Sequence, residues 1–185
     1  MLLDDADCRL TSTGDSRFAA ETSRLKLRRL HSGDAAFLLE LLNQSSWIEF
    51  IGDRGVRTLM QAGDYLTQRI EAQFDRYGYG MWGVELPQQS QLAGLAGLVK
   101  RDFLPEPDLG FALLDRYAGQ GFAFEAATAV LSLARRRGLG RLLAITVSGN
   151  QRSIRLLQRL GFELEAAQTV PGEGAPVMRY SKALG

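Results

Sequence analysis

The sequence predicts one α/β (α+β) domain, built on a central mixed, mostly antiparallel sheet with helices on both faces. Its 185 residues are enough for one hydrophobic core and few for two domains. Two apolar stretches flank the turn Pro87–Ser90, which is typical of an antiparallel hairpin. A helical pattern over about 122–136 then separates two further apolar strands, and such a crossover makes those strands parallel.

The spacing of apolar residues predicts the order of strands and helices in the first half of the chain. Residues 1–22 show no sustained period and are expected to form a flexible tail, which leaves 23–185 as the domain. Leucines alternate with basic residues from Arg24 to Leu30, as in a half-buried strand, and Ser32 is expected to cap the next helix. A second helix, a hairpin and a fourth strand are predicted over residues 62–77, 79–99 and 108–114.

The second half contains a glycine-rich turn, Gly119-Gln120-Gly121, that opens a helix. Backbone N–H groups at such a turn are unpaired, and the helix dipole adds about half a positive charge, so an anionic phosphate is favoured there. A buried strand is predicted from Leu142 to Val147, and Asn150 is expected to cap a short helix that ends at Gly161. A final pair of strands is expected around 162–164 and 177–181.

Composition limits the classes of partner. A formal net charge of +1 gives no overall field that would recruit nucleic acid or an anionic membrane. Cys8 and His31 are the only residues of their types, so a disulfide framework is excluded and no metal site is expected; His31 is interpreted as a solvent-facing junction residue. No apolar run approaches the roughly 20 residues of a membrane span and no secretory signal is evident, so a cytoplasmic location is expected.

Two nucleotide-binding motifs do not fit the glycine-rich turn. A Walker loop requires Lys and then Ser or Thr after its second glycine, and no such sequence occurs. A dinucleotide motif requires a third glycine where this chain has Phe124. By itself the turn is also consistent with glycines that only pack a helix against a strand.

A longer pattern, from Asp108 to Phe162, carries more information. It consists of Asp108-Leu109-Gly110-Phe111, Arg116 to Gly121, Ala123-Phe124-Glu125-Ala126, Asn150 with Ser153, and Leu160-Gly161-Phe162. In order and spacing this pattern resembles the GNAT superfamily of acyltransferases, in particular its ribosomal-protein N-acetyltransferase (RimJ/RimL-like) branch. The resemblance covers roughly Arg24 to Lys182 and is looser before Asp108.

The resemblance implies an N-acetyltransferase that uses acetyl-CoA as co-substrate, without a metal, and a primary amine as acceptor. The acceptor would be a protein N-terminus or a small-molecule amine. The backbone of the Phe111 strand would hold the pantetheine arm, and the glycine-rich turn would hold the pyrophosphate. The cofactor-binding residues are then Phe111, Ala112, Leu113, Arg116, Ala118, Gly119, Gln120, Gly121, Phe122, Ala123, Asn150 and Ser153. Ser153 is also the candidate acid that protonates the leaving thiolate.

Asp108 is the candidate general base, because the strand that carries it is expected to lead into the cleft. No serine has an evident histidine partner and the only thiol, Cys8, lies in the expected tail, so we expect direct transfer in a ternary complex. In the alternative interpretation Asp108 is an exposed residue and water relays the proton.

Other assignments also have structural alternatives. In these alternatives, Asn150 is only the cap of its helix and contacts no ligand, and Ser153 only accepts a hydrogen bond from a backbone N–H. Glu125 is explained by the helix dipole as well as by catalysis, and Arg135 to Arg137 either contact the 3′-phosphate or favour a helix C-terminus.

At the level of the whole protein, a non-catalytic acyl-CoA-binding or sensor module of the same fold stays open. A small partner-binding protein whose glycines only make turns is a third hypothesis. Acceptor identity and oligomeric state, including a homodimer, do not follow from the sequence.

Overall fold

The computed structural model describes residues 18–170 and 176–185 as an open eight-stranded sheet with helices. Its strands are β1 Phe18–Glu21, β2 Lys26–Arg28, β3 Met81–Leu86, β4 Gln91–Val99, β5 Asp108–Leu113, β6 Arg141–Thr146, β7 Glu163–Gln168 and β8 Val177–Ala183. They lie in the order β1-β2-β3-β4-β5-β6-β8-β7, and β5 with β6 is the one parallel pair among them. The predicted mixed, mostly antiparallel sheet is confirmed.

The helices are α1 Ala35–Asn43, α2 Ser45–Phe50, α3 Leu59–Tyr65, α4 Ala72–Tyr77, α5 Phe122–Arg136 and α6 Gln151–Arg159. Between α3 and α4 the segment Leu66–Glu71 is a π-helical turn, so the second predicted helix is present with a differently wound centre. The helix α2 was not predicted, since six residues are too few to show a helical period.

The side-chain cap that precedes the first helix lies one residue earlier than expected, on a 3₁₀ turn. Ser32–Asp34 forms a 3₁₀ turn that leads into α1, and the His31 side chain accepts a hydrogen bond from the Gly33 N–H at 3.1 Å. His31, not Ser32, therefore caps this 3₁₀ turn, and α1 follows Asp34 without a side-chain cap of its own. Its side chain is 67% exposed, which agrees with the predicted junction role.

The boundary of the expected tail at residue 22 is wrong. β1 pairs with β2 inside that segment, and Ala20 is 1% exposed. Four residues that only complete a sheet edge are too few to show an alternating pattern. Residues 1–17 lie outside the described part of the chain.

The sheet is covered on both faces at its centre. Seven consecutive residues of β4, Leu92–Leu98, are buried, and successive side chains of a strand point to opposite faces. The helix α5 packs against β4 and β5. A fully buried leucine such as Leu95 or Leu98 stabilises the fold by about 1.5–3 kcal/mol relative to an exposed one.

The parallel strands β5 and β6 meet at one position and then separate. Asp108 is paired with Leu143, and no described strand pairs with the remainder of β5 on that side. The helix α5 follows β5 in the chain, and α6 follows β6. The gap between the two strands is therefore bordered by the beginnings of two helices.

Candidate functional site

A cavity of about 740 Å³ lies where β5 and β6 separate, within the range of about 300–1,000 Å³ found for small-molecule sites. Its walls come from α2, the end of β5, and the beginnings of α5 and α6. Many of the predicted binding residues line it together: Phe111, Ala112, Leu113, Ala118, Gly119, Gly121, Phe122, Ala123, Asn150 and Ser153.

The glycine-rich turn presents unpaired backbone donors to this cavity. Gly119 and Gly121 have φ angles of 77° and 82°, a conformation that strongly favours glycine. The N–H groups of Gly119, Gln120 and Gly121 have no acceptor among the described residues, and the first N–H groups of α5 have none within their helix. Together with the positive end of the α5 dipole, these groups fit an anionic phosphate.

The end of β5 is fixed by Gln44, at the junction of α1 and α2. Its Nε2 donates to the Leu113 carbonyl at 2.7 Å, and its Oε1 accepts from the Asp115 N–H at 3.0 Å. In the same wall, the Trp47 side chain is buried and its Nε1 has no hydrogen-bond partner among the described residues. Buried donors are normally paired, so this indole provides an unused donor beside the cavity.

Asn150 and Ser153 stand at the beginning of α6. The Asn150 Oδ1 accepts from the Ser153 N–H at 3.1 Å, which confirms the predicted cap. Its Nδ2 donates to no described residue, so the cap leaves this group available for a ligand. The Ser153 hydroxyl also lacks a described partner, contrary to the alternative in which it satisfies a backbone donor.

Three arginines that the sequence analysis did not select also line the cavity. Arg152, Arg155 and Arg159 lie along α6, and neither Arg152 nor Arg155 has a carboxylate partner among the described residues. Their spacing of three and four residues was a signal that they share one helix face. Arg135, by contrast, donates from Nε to the Leu184 carbonyl at 3.0 Å and does not line the cavity.

Two predicted binding residues do not line the cavity. The Arg116 guanidinium is paired with Glu40 of α1 and lies 5.2 Å from the Tyr117 ring centroid. The Gln120 side chain donates to the Arg116 carbonyl at 3.0 Å. Both side chains are engaged within the protein, because the turn directs only part of its length toward the cavity.

Asp108 lies at the point where β5 and β6 are joined, outside the cavity lining. It is 1% exposed, and Arg101 Nε donates to its Oδ1 at 2.9 Å. Burial raises the pKa of the Asp108 carboxyl, against the opposing effect of the Arg101 charge. The alternative that Asp108 is an exposed residue is therefore wrong, while its role as base stays a prediction.

Residues 24–163 match the acetyltransferase (GNAT) domain family. The chain belongs to this family. This GNAT protein is 27% identical over 149 residues to the uncharacterized N-acetyltransferase YoaA of Bacillus subtilis (strain 168), with 78% of this chain and 82% of the relative covered. A solved putative GnaT-family acetyltransferase from Bordetella pertussis is 27% identical with a TM-score of 0.73, over 90% of this chain and 99% of the other.

The GNAT chain is also similar to a RimL ribosomal L7/L12 α-N-protein acetyltransferase solved in complex with coenzyme A. That likeness has 20% identity and a TM-score of 0.74, over 88% of this chain and 95% of the other, and it shows the fold alone. These findings agree with the resemblance inferred from the motifs between Asp108 and Phe162. Family membership supports a transferase.

Two absences apply to residues 18–170 and 176–185 of this GNAT protein. In those ranges no three histidine, cysteine, aspartate or glutamate side chains are grouped so that they could hold a metal ion. No helix there combines the length and the apolar character that crossing a membrane requires.

Proposed function

We propose that the protein transfers an acetyl group from acetyl-CoA to a primary amine, directly and in a ternary complex. The observation that carries the proposal is that three different elements meet in one cavity. These are the unpaired N–H groups of the turn 119–123, the unpaired edge of β5, and the start of α6 with Ser153. Each element matches a different part of the same thioester substrate.

Binding is divided among these elements. The turn holds the pyrophosphate, the edge of β5 pairs with the pantetheine arm as an added strand would, and Asn150 Nδ2 donates to the same arm. Arg152 and Arg155 add positive charge for the substrate's phosphates. Since these side chains have no internal carboxylate partner in the described chain, no salt bridge needs to break.

Acetyl-CoA supplies an activated thioester, and the protein's own residues position it and move protons. A free α-amine has a pKa of about 7.7–8.0, so a neutral, nucleophilic acceptor is available near pH 7 with little help from a base. Asp108 accepts the released proton through water, because the carboxylate does not line the cavity. As the amine attacks the thioester carbonyl and the C–S bond breaks, the Ser153 hydroxyl, which has no hydrogen-bond partner among the described residues, donates a proton to the departing thiolate and regains one from solvent.

Calorimetric titration with acetyl-CoA tests the binding part of the proposal. The native protein should bind, and Gly121→Glu should not, because a carboxylate at the turn repels the pyrophosphate. Gly138→Glu is the matched control, since Gly138 also has a positive φ of 72°, its Cβ would meet nothing within 4 Å, and it does not line the cavity. A folded native protein that gives no saturable heat would contradict the proposal.

The transfer step needs a separate measurement. Acetyl-CoA and the protein are mixed with a panel of peptides with free N-termini and of small amines, and the release of free thiol is followed. Amine-dependent thiol release by the native protein supports an acetyltransferase. Tight binding without release for any amine would favour the non-catalytic acyl-CoA-binding module instead.

A further inference from the structure

Glu125, in the first turn of α5, is a buried carboxylate that the binding proposal does not use. Its side chain is 6% exposed, and it accepts hydrogen bonds from three consecutive residues that precede β2. Oε1 accepts from Thr22 Oγ1 at 2.5 Å, Ser23 Oγ at 3.4 Å and the Arg24 N–H at 3.2 Å. Oε2 accepts from Arg24 Nε at 2.7 Å and lies 2.6 Å from Arg24 Nη2.

Arg24 also contacts the glycine-rich turn at successive residues. Its Nη1 donates to the Gln120 carbonyl at 3.1 Å, and its guanidinium carbon lies 4.7 Å from the Phe122 ring centroid. A Cβ placed on Gly121 would lie 3.4 Å from Arg24 Nη2. Arg24 itself does not line the cavity, so it supports the turn from a side that the substrate does not occupy.

The negative charge of Glu125 lies in the first turn of α5, the turn whose N–H groups are proposed to bind phosphates. Without a neighbouring cation, this buried carboxylate would repel an anionic ligand there. Arg24 matches it with a paired guanidinium, and removing one partner of such a pair leaves an uncompensated charge. Neither of the interpretations drawn from the sequence, dipole compensation or catalysis, accounts for these five contacts from residues 22–24.

We propose that the Arg24–Glu125 pair is a positioning element for substrate binding, here called the turn brace. It holds residues 120–122 in the conformation that exposes their N–H groups, and it neutralises the negative charge of Glu125 beside the phosphate site. The inference rests on the proposed function, since it assumes that the turn binds the phosphates of CoA. Thr22 contributes to the turn brace by donating to Glu125.

Because Glu125 is negative and lies beside the phosphate site, substitutions of the two partners should affect binding unequally. Arg24→Gln leaves Glu125 unmatched and should weaken CoA binding at least tenfold in calorimetric titration. Glu125→Gln keeps a positive charge near the turn and should weaken binding less. The double variant removes both charges and should recover part of the CoA affinity that Arg24→Gln loses. If the two substitutions acted only by damaging the structure, the double variant would bind CoA more weakly than either single variant.

Arg28→Gln serves as the matched control for a general loss of stability. Arg28 lies on the neighbouring strand β2 and forms comparable ion pairs with Asp34 and Glu85. It has no contact with the glycine-rich turn among the described residues. Its loss should lower the melting temperature and leave CoA affinity within about twofold of native. Arg24→Lys keeps the charge without the paired geometry and should bind with intermediate affinity.

The outcomes separate this inference from the proposed function. A native protein that does not bind CoA overturns the proposed function, whatever the variants do. If the native protein binds, a folded Arg24→Gln protein with native affinity overturns the turn brace. So does a double variant that binds no better than Arg24→Gln, because the charge of Glu125 would then be irrelevant.

Discussion

The side chain of Asn150 accepts a hydrogen bond from the backbone N–H of Ser153 at 3.1 Å, so the residue that caps α6 also fixes the backbone of the residue that carries the candidate acid. Loss of such a cap costs about 1 kcal/mol. We therefore expect Asn150→Ala to lower the free energy of unfolding by about that amount and to weaken CoA binding. Chemical denaturation and calorimetric titration measure the two effects.

Asn150→Ser separates capping from ligand binding. Serine is as good a helix cap as asparagine but lacks the Nδ2 group, which has no partner among the described residues. The variant should retain native stability and still bind CoA more weakly. Native affinity in Asn150→Ser would show that the side chain acts only as a cap.

Ser153→Ala should lower the rate of transfer without changing stability. Its hydroxyl has no described partner, so truncation leaves no buried group unsatisfied. Loss of a general acid typically costs about 10²-fold or more in kcat, and the KM for acetyl-CoA should change little. Ser148→Ala is the control, because Ser148 is exposed in the preceding loop and does not line the cavity. An unchanged kcat in Ser153→Ala would remove the hydroxyl from the mechanism.

Gly119→Ala tests whether the turn needs its left-handed conformation. A Cβ on Gly119 would meet no atom within 4 Å, so any loss of stability in Gly119→Ala comes from the φ of 77° and not from a steric clash. That conformation costs a non-glycine residue about 1–2 kcal/mol, and relaxation of the turn should also weaken CoA binding. Gly140→Ala has no such φ and equal space, so it should be near neutral in both assays. Equal stability of the two variants would contradict the argument.

Local patterns in the sequence were sufficient for much of the fold. The hairpin β3–β4, the crossover through α5 and the cap at Asn150 each depend on residues close in sequence, and all three are confirmed. β1 was missed because it owes its structure to pairing with β2 and not to its own four residues. The helix α2 was missed because its six residues are too few to show a helical period, and its position depends on the remote contacts of Gln44 with the end of β5.

The site was predictable where a motif is continuous and less so where contacts are remote. The backbone of the turn at Gly119 to Ala123 is set by glycines whose conformation is local. The position of a long side chain is set by tertiary contacts, so the sequence did not predict that Arg116 pairs with Glu40 or that the arginines of α6 line the cavity. The turn brace joins residues 101 positions apart, a separation that no single-sequence pattern reports.

Asp108 makes the stability of the protein depend on pH. Its pKa is raised by burial, so between the ordinary value of about 3.9 and the raised value the folded state binds more protons than the unfolded state. The free energy of unfolding should therefore fall as pH rises through that window. Asp108→Asn removes this contribution, so its stability relative to native should increase from pH 4 upward and then level off. A pH-independent difference in stability between the native protein and Asp108→Asn would show that the pKa of Asp108 is not raised.

The same variant tests the role of Asp108 in the reaction. If the carboxylate accepts the proton through water, Asp108→Asn should lower kcat in the transfer assay. An unchanged kcat would leave Asp108 with a purely structural role.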